Sequence, residues 1–150
     1  MSAETSSILL AEDNPADVYL IREALREHGV NCKIREASDG KEVLALLAPA
    51  QAETLNLDLI ILDLNLPRHD GIEILQYIRD NSQLTHVPVV VLTSSDSPRD
   101  RSIANELGAR RYLRKPSNLA DFLSLGAVFR DLLHRPHEGQ RTDNRIRGSR

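Results

Sequence analysis

Five polar residues stand out because each closes or directly follows an apolar run: Glu12, Asp13, Asp63, Thr93 and Lys115, the last followed by Pro116. Taken singly, each has a structural explanation. A carboxylate after a strand caps the next helix, a Thr packs at a strand end, and a Lys before Pro is solvated. Taken together they describe a site. Three carboxylates brought within ~5 Å of one another repel by roughly 3 kcal/mol per pair at an effective dielectric of about 20. A hard divalent cation removes that cost. Mg²⁺ takes oxygen ligands and keeps several waters, so two carboxylates, a backbone carbonyl and an incoming phosphoryl oxygen form a suitable shell. An ammonium and a hydroxyl nearby suit phosphoryl transfer, which needs positioning and charge neutralisation more than covalent machinery.

The elements that must position these groups follow from hydrophobic periodicity. Short apolar runs at Ile8–Ala11, Leu57–Leu62 and Val87–Leu92 are apolar on both faces, as interior strands of a covered parallel sheet require. Cys32–Ala37 alternates and suits an edge strand, and Arg111–Leu113 reads as a fifth strand. Between them lie amphipathic stretches with helical spacing: Val18, Ile21 and Leu25; Val43, Leu44 and Leu47; Ile72, Leu75 and Ile78; Ile103 and Leu107. Asn14-Pro15, Ser97-Pro98 and Asn118 mark helix starts. Five alternating strand–helix units predict an α/β, doubly wound (βα)5 sandwich with a parallel sheet in the order 2-1-3-4-5. In such a sheet the ligand site lies beyond the carboxyl ends of the strands, where the strand order reverses. The five polar residues all fall there.

Length and charge narrow the function classes. The 150 residues suffice for one core without disulfides or a structural metal, and the lone Cys32 reads as core. A formal charge of −3 gives no basic surface for nucleic acid or anionic membrane. No apolar run reaches the ~20 residues that span a bilayer, and the start lacks a secretion signal, so the expected location is cytoplasmic. The segment His137–Arg150 holds four Arg against two acidic residues and no apolar run. The expected organisation is a disordered N-terminus at 1–6, a folded domain at 7–134 and a disordered basic tail at 135–150, partly a cloning remnant. His28, His69, His86, His134 and His137 show no metal-ligand spacing and read as surface; His69 is placed to line a partner face.

The set Glu12-Asp13, Asp63, Thr93 and Lys115-Pro116 resembles the receiver domain of two-component response regulators over roughly Ser7–Leu133. Asp39-Gly40, Leu66-Pro67, Asp70-Gly71, Gly108-Ala109 and Tyr112 agree with it. The resemblance implies a CheY-like fold, with Asp63 as the phosphoacceptor. Glu12, Asp13, Asp63 and the Asn65 backbone carbonyl would hold Mg²⁺. Lys115 would pair with the phosphoryl group, Thr93 would donate its hydroxyl to it, and Tyr112 would move from exposed to buried as Thr93 shifts inward. It implies a cis bond between Lys115 and Pro116, and a tuning of dephosphorylation by Asn65 and Ser95. The phosphodonor would be a histidine kinase, and the protein a phosphoacceptor rather than an enzyme in the ordinary sense.

The segments Asn14–Asp17, Asp63–Arg68 and Val87–Ser95 resemble stand-alone regulators that partner phytochrome-type histidine kinases. No output segment is expected after the fifth helix, so the expected output is onward phosphotransfer or contact with a target protein. Apolar residues in that helix exceed one face: Leu119, Phe122, Leu123, Phe129 and Leu133 form a stripe, with Leu125, Val128 and Leu132 off it. The excess suggests a homodimer or docking face on the fourth helix, fifth strand and fifth helix. Two rival readings are a phosphorylation-independent adaptor, against which all five site residues stand, and an Asp-nucleophile Mg²⁺ phosphatase, which wants a second Asp where Asn65 sits.

Overall fold

In the computed structural model, residues 5–134 are described; segments 1–4 and 135–150, with the expected basic tail, lie outside the described residues. Five strands, β1 (Ser6–Ala11), β2 (Cys32–Ala37), β3 (Leu59–Leu62), β4 (Val89–Thr93) and β5 (Arg111–Arg114), form one parallel sheet in the order β2-β1-β3-β4-β5. The doubly wound topology is the one the sequence predicts. β1 begins earlier than expected: Ser6 is paired with Cys32 and its N–H donates to the Asn31 carbonyl at 2.9 Å, so pairing reaches into the segment expected to be disordered.

Strand alternation divides the core into two layers. Leu9, Ala11, Ile60, Leu62, Val89 and Val91 pack with Val43 and Leu47 of α2 (Gly40–Leu47), Ile74, Leu75 and Ile78 of α4 (Gly71–Arg79) and Ala104 of α5 (Pro98–Glu106). Ile8, Leu10, Leu59, Ile61, Val90 and Leu92 pack with Ile21 and Leu25 of α1 (Pro15–Glu27) and Phe122, Phe129 and Leu132 of α6 (Leu119–His134). Each fully buried Leu or Ile contributes about 1.5–3 kcal/mol, so the three central strands anchor the fold.

Two further details differ from the sequence expectation. A sixth helix, α3 (Pro49–Leu55), follows α2 directly. Proline disfavours helical backbone at the residue before it, and Ala48 is accordingly extended (ψ 149°); Pro49, having no N–H, then opens a new helix. The face of α6 is also rotated from the expected stripe: Leu132 is buried, whereas Leu119 is 59% exposed.

Candidate functional site

The parallel register brings the strand ends to one rim. Asp63 follows β3, and its N–H donates to the Ala11 carbonyl at 3.0 Å; the Glu12 N–H donates to Ala37 at 3.0 Å. Each carboxylate is therefore held by the ladder itself, one residue beyond the strand proper. Lys115 is placed in the same way, its N–H donating to the Thr93 carbonyl at 2.8 Å. Glu12, Asp63 and Thr93 are buried polar residues in an otherwise apolar core, while Asp13 is exposed at the mouth.

Among the described residues, one cation organises these acids. Lys115 Nζ donates to Asp63 Oδ2 at 2.9 Å and to Asp17 Oδ2 at 2.7 Å, and pairs with Glu12 Oε1 at 2.9 Å. Burial alone would lower the lysine's pKa, but hydrogen bonds to Asp17, Asp63 and Glu12 outweigh it and hold the ammonium well above its usual range. Glu12 responds the other way. Burial pushes its carboxyl up to about 7, with Asp63 adding repulsion and Lys115 opposing both. Asp63 Oδ1 also accepts the Asn65 N–H at 3.0 Å.

Oxygen atoms of Glu12, Asp13 and Asp63 lie within 4.8 Å of one another. An all-carboxylate set with one member open to solvent fits a hard cation that keeps part of its water shell. Residues around the acids shape the remaining rim. The Asn65 side-chain amide donates to Thr93 Oγ1 at 3.2 Å, and the Ser95 N–H points to the same oxygen at 3.4 Å. Gly71 closes the loop behind Asp63: a Cβ there would stand 2.5 Å from Leu64 Cα.

Three expectations meet a different geometry. Among the described residues there is no cis peptide bond, so the bond between Lys115 and Pro116 is trans. The trans form is the lower in energy for X–Pro by about 0.5–1 kcal/mol, and from it the lysine still reaches all three carboxylates. Tyr112 is already 7% exposed: its hydroxyl donates to the Ser95 carbonyl at 3.3 Å and Arg101 covers the ring at 4.5 Å. Ser95 does not face the acids through its side chain. Its Oγ donates to Asp100 Oδ2 at 2.9 Å and accepts the Ser97 N–H at 3.3 Å, bracing the start of α5.

Sequence reasoning missed Asp17. An acid in the first turn of a helix is expected on dipole grounds, and Asn14 caps that turn, so nothing local marked Asp17 as the partner of a lysine 98 residues away.

The family profile for the response regulator receiver domain matches residues 8–125. The chain belongs to that family. Receiver domains act in two-component signalling, are switched by phosphorylation and bind Mg²⁺ at an acidic cluster, which here corresponds to Glu12, Asp13 and Asp63. Response regulator Rcp1 of Synechocystis sp. is 40% identical over 121 residues, covering 79% of this chain and 82% of that protein. The structure of the phosphorylated cyanobacterial phytochrome response regulator RcpA superposes with a TM-score of 0.79 at 34% identity, covering 87% of this chain and 94% of RcpA. The Mn²⁺-bound form of Rcp1 gives 0.76 at 36% identity, covering 87% and 96%. This receiver domain thus shares its fold and family with single-domain regulators observed in phosphorylated and metal-bound forms. No helix among the described residues is long and apolar enough to cross a membrane.

Proposed function

We propose that this receiver domain accepts a phosphoryl group on Asp63 from a histidine kinase, of the phytochrome type by its likeness to RcpA. The observation that carries this reading is Lys115 Nζ at 2.9 Å from Asp63 Oδ2, on a buried carboxylate at the rim where the acids converge. An Asp63 carboxylate oxygen attacks the phosphorus of a phosphohistidine. The P–N bond breaks, its electron pair leaves with the imidazole, and an acyl phosphate remains on Asp63. Bound at Glu12, Asp13, Asp63 and the Asn65 carbonyl, Mg²⁺ supplies neutralisation of the phosphoryl charge. Lys115 keeps its proton and binds a phosphoryl oxygen, while Thr93 donates its hydroxyl to another. Asn65 then sets access of water to the acyl phosphate.

The added charge draws Thr93 inward and biases the α5–β5–α6 face, where Tyr112 lies beneath Arg101 and Leu119 is exposed. That face is the surface for a second copy or a target protein, and the setting is cytoplasmic. Beryllofluoride with Mg²⁺, followed by ¹⁹F NMR, tests the reading. The expected result is a bound resonance for the wild type and none for Asp63→Asn; a bound resonance in Asp63→Asn would overturn it.

A further inference from the structure

Lys115 has a third partner that the phosphorylation chemistry leaves unused. Asp17 Oδ2 makes the shortest of the three lysine contacts, 2.7 Å, against 2.9 Å to Asp63 and to Glu12. It stands on α1, whereas the other two acids stand on strand ends, and its side chain is only 18% exposed. Asp17 lies outside the cluster of oxygens that could share a cation, which comprises Glu12, Asp13 and Asp63. The turn that carries it is fixed: Asn14 Oδ1 accepts the Ala16 N–H at 2.9 Å and the Asp17 N–H at 3.3 Å, and Pro15 opens the helix. A lysine side chain is a flexible four-carbon stem with a point charge, so its reach into a site is set by what holds its head.

We propose that Asp17 is a positioning residue for Lys115, retaining one ammonium hydrogen on the α1 side so that the other two remain aimed at the phosphoryl group entering on Asp63. The inference rests on the reading of Asp63 as acceptor. As the acyl phosphate forms, Asp63 and Glu12 change partners, because one becomes phosphorylated and the other serves the cation. Asp17 does neither. It is the one lysine contact that persists through the transfer, in which a bond forms from an Asp63 oxygen to phosphorus while the P–O bond of acetyl phosphate breaks and acetate leaves with the electron pair. Lys115 stays protonated throughout.

Two properties separate this role from simple support of the fold. The Asn amide oxygen can still accept the lysine hydrogen from the same position, whereas Ala cannot. The effect must also vanish when Lys115 has no ammonium. The test measures the rate of phosphorylation by acetyl phosphate, with Mg²⁺ affinity determined on the same variants by calorimetry. The expected result is a rate about tenfold lower in Asp17→Ala, since small misplacements of a charge-stabilising group cost rate steeply. Asp17→Asn should recover most of that loss, Mg²⁺ affinity should change less than about twofold, and Asp17→Ala should add nothing in a Lys115→Met background. Wild-type rates in Asp17→Ala, no recovery in Asp17→Asn, or a further loss in the Lys115→Met background would overturn the proposal. Failure of the wild type to be modified at Asp63 would instead overturn the acceptor reading, so the two failures are told apart.

Discussion

The Asn65 side-chain amide donates to the Thr93 hydroxyl across 3.2 Å, tying the loop after β3 to the end of β4. Asn65 thereby stands at the open side of Asp63, with its own N–H on Asp63 Oδ1. Ser95, the other position expected to tune hydrolysis, spends its hydroxyl on Asp100.

The two residues should therefore separate experimentally. Replacing Asn65 with Lys or Glu should alter the lifetime of the phosphorylated form several-fold, followed as loss of label after the donor is removed. Ser95→Ala should act chiefly on stability, by about 1 kcal/mol for a lost side-chain hydrogen bond. A changed lifetime in Ser95→Ala with unchanged melting would contradict this assignment.

Lys115 is the cation on which Glu12 and Asp63 depend. Lys115→Met leaves both acids in a buried rim without a counter-charge, and should lower metal-free stability by about 3 kcal/mol. Adding Mg²⁺ should restore more stability to this variant than to the wild type. In the same background Asp63→Asn should be stabilising, because the remaining repulsion is between Asp63 and its acidic neighbours. Urea titrations with and without Mg²⁺ provide the check, and an equal Mg²⁺ gain in both proteins would contradict it.

The raised pKa of Glu12 sets a pH dependence. Its carboxyl has an ordinary value of 4.5 and is held at about 7 in the folded chain by burial. Between these values the folded state binds more protons than the unfolded one, so this stabilisation is full below 4.5 and is lost as pH rises through about 7. Metal-free wild type should lose stability from pH ~5 to ~8 by a few kcal/mol at most, while Glu12→Gln should show a flatter profile. Chemical denaturation across that range is decisive: parallel profiles would place the proton elsewhere.

How much of this was readable beforehand varies by element. β1, β3 and β4 declare themselves through apolar runs on both faces, and with them the order of the sheet and the convergence of Glu12, Asp63 and Thr93. Other features depend on tertiary context. The break at Ala48 has a local cause in Pro49, but a second short helix after it required knowing that the chain continues along the same layer. Leu119 and Leu132 exchanged roles because spacing fixes which residues share a face of α6 and leaves open how that face is phased against α1 and the sheet. The trans bond at Pro116 is invisible locally, since the two isomers differ by so little. Asp17 was hidden by sequence distance.

Gly126 of α6 lies tight against α1: a Cβ there would overlap the Ala24 carbonyl oxygen and His28 Nδ1. The first of these is backbone and can yield only by moving the helices apart. Gly126→Ala should therefore destabilise by about 1–3 kcal/mol despite the better helix propensity of Ala. Thermal unfolding checks this, and an unchanged or raised midpoint would show that the two helices can separate freely.

Every role proposed for the site depends on Asp63 as the acceptor. Intact-protein mass spectrometry after incubation with acetyl phosphate and Mg²⁺ tests that most directly. The prediction is one phosphoryl group per wild-type chain, lost on adding hydroxylamine as an acyl phosphate must be, and none on Asp63→Asn. A phosphoryl group retained by Asp63→Asn would contradict it.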